Sequence, residues 1–356
     1  MRKAIQPGFF DLAERTGKLT EMGDPLVGLK SQINWEAFRP DLQRIHNKER
    51  KNNAGAKPID VVLMFKILVL QQLHNLSDER IEYQIRDRLS FMRFLGLQLE
   101  DRVPDAKTVW LFRERLKEQK LMEVLFKRFH EQLAQCGYVA RAGQMIDATF
   151  VEVPRQRNTR EENALIKEDT VPIEWGKQEN KNMLAQKDTA ARWTKKNNES
   201  HYGYKNHINA DQTHKLIQTY TVTDAAVHDS QAMDDLLDKE TDTDGSKRAV
   251  YADSAYRSKE RETDLADQQI TSQICEKGAR GHPLSEKQKA DNHEKSKVRS
   301  RVEHVFGAQA QMGGHWVRTI GLLRAKVKIG MMNLVYNMMR LVQLTRRDGI
   351  GSSEIA

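Results

Sequence analysis

Apolar positions along the chain change their period near residue 140. Before that point they recur at helical spacing. PIDVVLMFKILVLQQLHNL, residues 58–76, is apolar almost all round and predicts a buried helix with Pro58 in its first turn and a stop at Asn75. SDERIEYQIRDRL predicts a second helix capped by Ser77, with Asp78 and Glu79 in its first turn and Ile81, Ile85 and Leu89 along one face. SFMRFLGL and then PDAKTVWLFRERLKEQ follow, the latter read as a helix capped by Thr108. A long apolar helix, a tight turn and a more charged helix suit a DNA-binding helix-turn-helix, and a plain helical bundle equally well.

Beyond residue 140 the period shortens to two. GQMIDATFVEV, YGYKNHINAD and KLIQTYTVTDA alternate and predict three strands, RAVYADSAY a fourth and ITSQICEK, from Ile270, a fifth. Short helices are expected near SQAMDDLLDKE and SKERETDLADQQ, a longer one from Lys289 to about Gln311, and a Met-rich one over KVKIGMMNLVYNMMRLVQL. This order predicts an α/β layer, an antiparallel portion extended by parallel strands with helices on its faces. The polar stretch 154–200, with Trp175 and Trp193, interrupts the first hairpin and is too long for a turn, which marks a functional or mobile insertion.

Composition narrows the class. A chain of 356 residues with 38% hydrophobic positions can build two domains. No apolar run reaches the roughly 18 residues of a membrane span, and the polar start MRKAIQPGFFDLAERTGK lacks a secretory segment, so a cytoplasmic protein is expected. Two cysteines, Cys136 and Cys275, make neither a disulfide framework nor a metal pair. The net charge is +8, and most of the excess lies between Ala279 and Lys328, where eleven Lys and Arg stand against four Asp and Glu. Such clustering is the footprint of a nucleic-acid partner, though a solvated basic face has the same composition.

Three acids stand out within this frame. Asp147 lies inside the apolar first strand and Asp253 ends the fourth. Burying a carboxylate needs a partner, and if the two strands are neighbours the charges repel unless a cation lies between them. Hard oxygen donors point to Mg²⁺ or Mn²⁺. On one continuous helix Ser296, Arg299, Glu303 and Ala310 share a face, beside an apolar face of Val298, Val302 and Phe306 that can pack on the sheet and aim Glu303 at the strand ends. Taken singly, either Asp also reads as a turn cap or an arginine partner, and Glu303 as an i to i+4 pair with Arg299. Asp224 and Asp229 read as turn and helix-start residues, His201, His207 and His214 as surface or turn residues without metal spacing, and Tyr204 and Trp193 as core residues that could also stack on bases.

Seven stretches in order carry a resemblance. They are KPIDVVLMFKILVLQQLHNLSDERIEYQIRDRLSFMRFLGL, VPDAKTVWLFRERL, IDATFVEVPRQRN, HYGYKNHINAD, TDAAVHDS, YADSAYRS, and RVEHVFG with RAKVKIGMMNLVYN. From about residue 40 to 345 the chain resembles a bacterial insertion-sequence transposase of the DDE class, in the insertion-sequence-five-like group of the insertion-sequence-four-like assemblage. The resemblance implies an α/β fold with an RNase H-like mixed sheet flanked by helices, preceded by an all-helical N-terminal domain. The expected boundaries are a helical DNA-binding domain over 1–135, a catalytic domain over 136–348 with the insertion at about 154–200, and a disordered tail over 349–356. It implies that Asp147, Asp253 and Glu303 form the catalytic, metal-binding triad, that two Mg²⁺ ions (or Mn²⁺) serve phosphoryl transfer, and that double-stranded DNA, as terminal inverted repeats and target site, is the partner of a homodimer in a synaptic complex. Arg299 matches the Arg four before the Glu in the family's Y-R-E-K signature, while Ser296 and Ala310 stand where that signature has Tyr and Lys, which leaves the hairpin route of cleavage open. Further DNA contacts are expected at Lys295, Lys297, Arg301, Lys205, His207, Arg324, Lys326 and Lys328. A metal-dependent nuclease without strand transfer and an inactive DNA-binding descendant are the alternatives. A nucleoid-associated cytoplasmic location follows from the DNA partner.

Overall fold

The structure is a computed structural model that describes residues 11–46, 58–138, 143–196, 198–239, 249–279 and 281–349. It divides into two compact units, one of residues 1–132 with 338–356 and one of residues 133–337. The C-terminal end of the last helix, placed by its sequence in the second domain, therefore groups with the first unit. Of the tail expected from 349, only its first residue lies among the described residues.

The first unit is helical. Its elements are α1 (Asp11–Glu21), α2 (Pro25–Gln32), α3 (Arg39–Gln43), α4 (Val61–Leu73), α5 (Asp78–Asp87), α6 (Leu89–Leu95), α7 (Ala106–Glu118) and α8 (Leu121–Gln135), the last ending just inside the second unit. The apolar run becomes α4 as expected, with Phe65, Ile67, Val69 and Leu70 fully buried. Its cap, however, is Asp60, whose carboxylate accepts from the Val62 and Leu63 amides at 3.0 and 2.9 Å, so Pro58 stays outside the helix. Asn75 stops the chain in the left-handed region at φ 49°. Ser77 caps α5 through Arg80 N–H, and Ile81 and Ile85 are fully buried. The cap of α7 is Asp105 rather than Thr108, because a carboxylate one residue before the helix reaches the Thr108 amide at 2.7 Å. Trp35, Phe38, Phe65 and Phe94 lock the centre of this unit, with ring centroids 5.0–6.4 Å apart.

The second unit is built on a five-stranded mixed sheet: β1 (Gln144–Glu152), β2 (Arg192–Lys196), β3 (Glu199–Asp211), β4 (Ile217–Asp224) and β5 (Val250–Tyr251). β3 is the spine, pairing antiparallel with β1, β2 and β4, and β5 adds parallel to β1. An antiparallel portion extended by a parallel strand is what the alternation predicted. One expected strand is corrected: within residues 270–277, Thr271 and Gln273 bond to Val250 and Cys275 to Ala252, but the segment forms only an isolated bridge, Val250 with Ser272. With β5 itself only two residues long, no ladder extends there.

The polar stretch after β1 contains α9 (Arg160–Lys167) and α10 (Lys181–Leu184) and then supplies β2, so its last part belongs to the sheet. Trp175 is buried within it and donates to Glu162 at 3.2 Å, and buried Asp188 accepts the Tyr204 hydroxyl at 2.8 Å. The remaining elements are α11 (Met233–Leu236), α12 (Lys259–Asp267), α13 (Glu286–Arg299), α14 (Glu303–Gln311) and α15 (Leu322–Asp348). The Met-rich stripe of α15 is core, with Met331, Met332 and Met338 buried. No helix among the described residues is long and apolar enough to cross a membrane.

Candidate active site

Strand register decides where the first two carboxylates sit. β5 pairs with β1 as Gln144 with Val250 and Met145 with Tyr251. Asp147 and Asp253 each stand two residues past the Met145–Tyr251 pair, Asp147 still on β1 and Asp253 beyond the end of β5. Asp147 is buried, with 7% of its surface exposed. Its Oδ1 accepts from the Ala148 amide at 2.8 Å and its Oδ2 from Arg299 Nη1 at 2.7 Å. Burial pushes its pKa up to about 6, and the charges of Asp253 and Glu303 push the same way; the Ala148 amide and Arg299 hold it down. Asp147 therefore lies within electrostatic reach of both other acids.

Asp253 is half-buried just past β5 and caps a 3-10 turn, its Oδ1 accepting from the Ala255 amide at 2.8 Å. The turn-cap and arginine-partner readings thus also describe real contacts of Asp253 and Asp147. Oδ2 of Asp253 accepts no hydrogen bond among the described residues. Glu303 is exposed at the first position of α14, and its carboxylate makes no hydrogen bond or ion pair among them.

The helix that carries Glu303 is broken, which corrects the expected continuous run from Lys289 to Gln311. α13 stops at Arg299, residues Ser300–Val302 form a 3-10 turn, and α14 begins at Glu303. The Ser300 hydroxyl donates back to the Lys297 carbonyl at 3.2 Å, a bond that bends helices. Three residues at 3-10 winding add about 60° of rotation, so Arg299 and Glu303 do not share a face. Arg299 turns inward to Asp147 instead of pairing with Glu303. Val302, Val305 and Phe306 are buried and seat the turn, whereas Val298 is only half-buried. α14 and α15 are tied to the Asp147 face through Asn206, which lies on that face opposite Thr149, donates to Asn333 at 2.9 Å and receives from it at 3.0 Å; Gln309 donates to Asn333 at 2.7 Å.

With this geometry in place, two family models match. One is described as a transposase DDE domain and matches residues 140–338. The chain belongs to the DDE transposase family. The second, described as a transposase domain (DUF772), matches residues 14–115 of this transposase. A cryo-EM structure of a piggyBac transposase synaptic complex with hairpin DNA is 14% identical, with a TM-score of 0.47, covering 95% of this chain and 79% of that one.

Membership implies dependence on a divalent metal, and the donor chemistry of the transposase fits a hard cation: one buried carboxylate, one half-buried and one exposed, all oxygen donors. Among the described residues, however, no three acidic, imidazole or thiol groups are already drawn together tightly enough to cage an ion. Arg299 holds one oxygen that such a cage would use.

Two of the expected DNA contacts, Lys205 and His207, lie inside the fold. Lys205 is buried, its ammonium 2.8 Å from Asp229 and donating to the Val227 carbonyl at 2.7 Å. His207 is fully buried against the Thr223 hydroxyl at 2.8 Å, and burial pushes its pKa down to about 4, so it stays neutral. Both lie on β3, where each strand face is covered, and neither offers charge to a phosphate. Arg301 and Lys297 are exposed, the latter paired with Glu294 at 2.6 Å. Lys295, Arg324, Lys326 and Lys328 are half-buried, Lys295 donating to the Ile274 carbonyl at 3.3 Å. Tyr204 is core, while Trp193 is 42% exposed and packs on Tyr202 at 4.9 Å.

Sequence reasoning overlooked Tyr256, which is 1% exposed, has a hydroxyl without a hydrogen-bond partner among the described residues, and feels the charges of Asp147, Asp229, Asp253 and Arg299. It follows Asp253 by one 3-10 turn, so that spacing was the available signal. Asp229, read as a helix-start residue, does begin a 3-10 turn, but it is buried and paired with Lys205.

Proposed function

We propose that the protein is the transposase of an insertion sequence of the insertion-sequence-five-like group. On this reading the mixed sheet is an RNase H-like core, and the enzyme binds terminal inverted repeats, cleaves the element's ends and joins the freed 3′ hydroxyl to target DNA. Asp147, Asp253 and Glu303 would hold two Mg²⁺ ions, with Mn²⁺ able to substitute. What supports the proposal is the strand register that brings the ends of β1 and β5 together, with Asp253 and Glu303 both within electrostatic reach of buried Asp147.

Cations bound there supply polarisation of the scissile phosphate and activation of an attacking hydroxyl. The chain's own groups orient and exclude. Asp147 is fixed by the Ala148 amide, and Asp253 by the turn it caps, so two acids are held by backbone rather than by mobile loops. Val302, Val305 and Phe306 anchor the turn that delivers Glu303. Arg301, Lys297, Lys295, Arg324, Lys326 and Lys328 supply cations for phosphates, and the helical N-terminal unit the remaining duplex contacts. The working enzyme is a homodimer in a synaptic complex, associated with the nucleoid.

The test is purified protein with DNA carrying its own flanking inverted repeats and Mg²⁺, resolving nicked, hairpinned and joined products. Asp147→Asn, Asp253→Asn and Glu303→Gln should each reduce end cleavage by at least about a thousandfold while leaving duplex affinity within about threefold, since the acids act on the transition state. Normal cleavage by any one variant removes that residue from the site. Nicking without joined products indicates a nuclease.

A further inference from the structure

We propose that Arg299 holds the place of a divalent cation on Asp147 in the metal-free protein, and that cation binding drives the guanidinium off that carboxylate and frees it for a DNA phosphate. The inference rests on the metal-binding reading of Asp147 above.

Asp147 shows why a stand-in is needed. Its carboxylate is buried beside two further acids, and one oxygen is taken by the Ala148 amide, which leaves Oδ2 as the position where positive charge can be supplied. Arg299 Nη1 sits there at 2.7 Å. A metal ligated by Oδ2 would lie within a few ångströms of the guanidinium, where like charges in a partly buried setting repel. The two cations therefore exclude each other.

The seat of Arg299 is also built for leaving. Its Nε–H is buried without an acceptor among the described residues, so the pairing with Asp147 leaves part of the guanidinium unsatisfied. Its side chain keeps 25% of its surface exposed, against 10% for Asp147, so one side is open to solvent. It is the last residue of α13, immediately before the 3-10 turn. Asp147 itself cannot withdraw, because it is fixed on the strand between β3 and β5. Metal arrival thus has one movable cation to displace. The displaced arginine emerges beside Arg301 and Lys297, the exposed basic residues nearest in sequence. Competition of this kind is reciprocal: whatever Arg299 contributes to the metal-free protein it subtracts from metal affinity.

The experiment is a calorimetric Mn²⁺ titration of the full chain, together with thermal unfolding in chelator and in saturating Mn²⁺, for the wild type, Asp147→Asn, Arg299→Gln and Arg299→Lys. Exchange requires that Arg299→Gln bind Mn²⁺ about tenfold more tightly, the factor that corresponds to one modest ion pair removed. It also requires that Arg299→Gln melt lower than the wild type in chelator and that the gap close in Mn²⁺. Arg299→Lys, which keeps the charge on a shorter stem without the planar fork, should fall between the two, and it serves the test if Arg299→Gln does not fold. Unchanged or weaker Mn²⁺ binding by Arg299→Gln, or by Arg299→Lys in its stead, overturns the exchange while leaving the metal site intact. Equal Mn²⁺ binding by Asp147→Asn and wild type overturns the metal-site reading and the exchange with it.

Discussion

At the scale of single residues, His207 reports most directly on how the sheet is buried. Its folded pKa is pushed down to about 4 by burial, from an ordinary value of 6.5. Above pH 6.5 both folded and unfolded chains carry a neutral ring, and the residue has no effect on stability. As the pH falls through 6.5 the unfolded ring gains a proton that the folded one refuses, so stability is lost until the folded ring also titrates near 4. A shift of about 2.5 units corresponds to about 3 kcal/mol. Denaturant unfolding at pH 7 and pH 4.5 should therefore show the wild type losing about 2 kcal/mol more than His207→Gln, because pH 4.5 does not yet reach the folded pKa. Equal losses would mean that the ring is protonated in the folded state. The residue also marks a limit of reading the sequence: alternation placed Lys205 and His207 on one face, but alternation does not say whether a face is open. Asp229, which pairs with Lys205 at 2.8 Å, comes from a 3-10 turn beyond β4 and leaves no local signal near Lys205.

At the scale of elements, the long periodic segments were legible and the punctuation was not. α4, α5, β1, β3 and β4 arise from strong apolar periods, and the parallel contact of β5 with β1 follows from strand order. What periodicity could not contain was the 3-10 turn at Ser300–Val302, since a three-residue change of winding leaves an apolar pattern nearly unaltered. That turn is what separates Arg299 from Glu303. Gly203 is a second such point, at φ 148° where β1 and β2 both pair with β3 and the Ala225 amide bonds to its carbonyl. A Cβ there would lie 2.4 Å from the Val151 carbonyl oxygen. Gly203→Ala must shift backbone on β1 and should cost about 3 kcal/mol, read as a lower denaturant midpoint with an unchanged slope. The network of Asn206, Gln309 and Asn333 joins β3 to α14 and α15 from positions more than a hundred residues apart in sequence, out of reach of any local pattern. Asn333→Leu strands two buried amides, and a loss of about 2–3 kcal/mol is expected by the same measurement.

At the scale of the whole molecule, charge placement separates binding from chemistry. The chain carries +8, and most of the excess lies in the segment that contains α13, α14 and the start of α15. The three acids of the proposed site are buried, half-buried and exposed in turn, while Lys297 and Arg301, a few residues before Glu303 in sequence, are exposed. Phosphate contacts made by such residues release counterions, so each should contribute a fixed increment to the salt dependence of duplex binding and none to sequence preference. Lys297→Ala with Arg301→Ala removes two such contacts. The slope of log affinity against log salt should then become shallower by about 1.8, with inverted-repeat and unrelated duplexes weakened by the same factor. Lys205→Ala should leave that slope unchanged and lower the stability of the fold instead, because its charge is spent on Asp229 inside the protein. Equal changes of slope in the two sets would show that exposure in the free protein does not govern which lysines and arginines reach DNA, and that binding reorganises the sheet around β3.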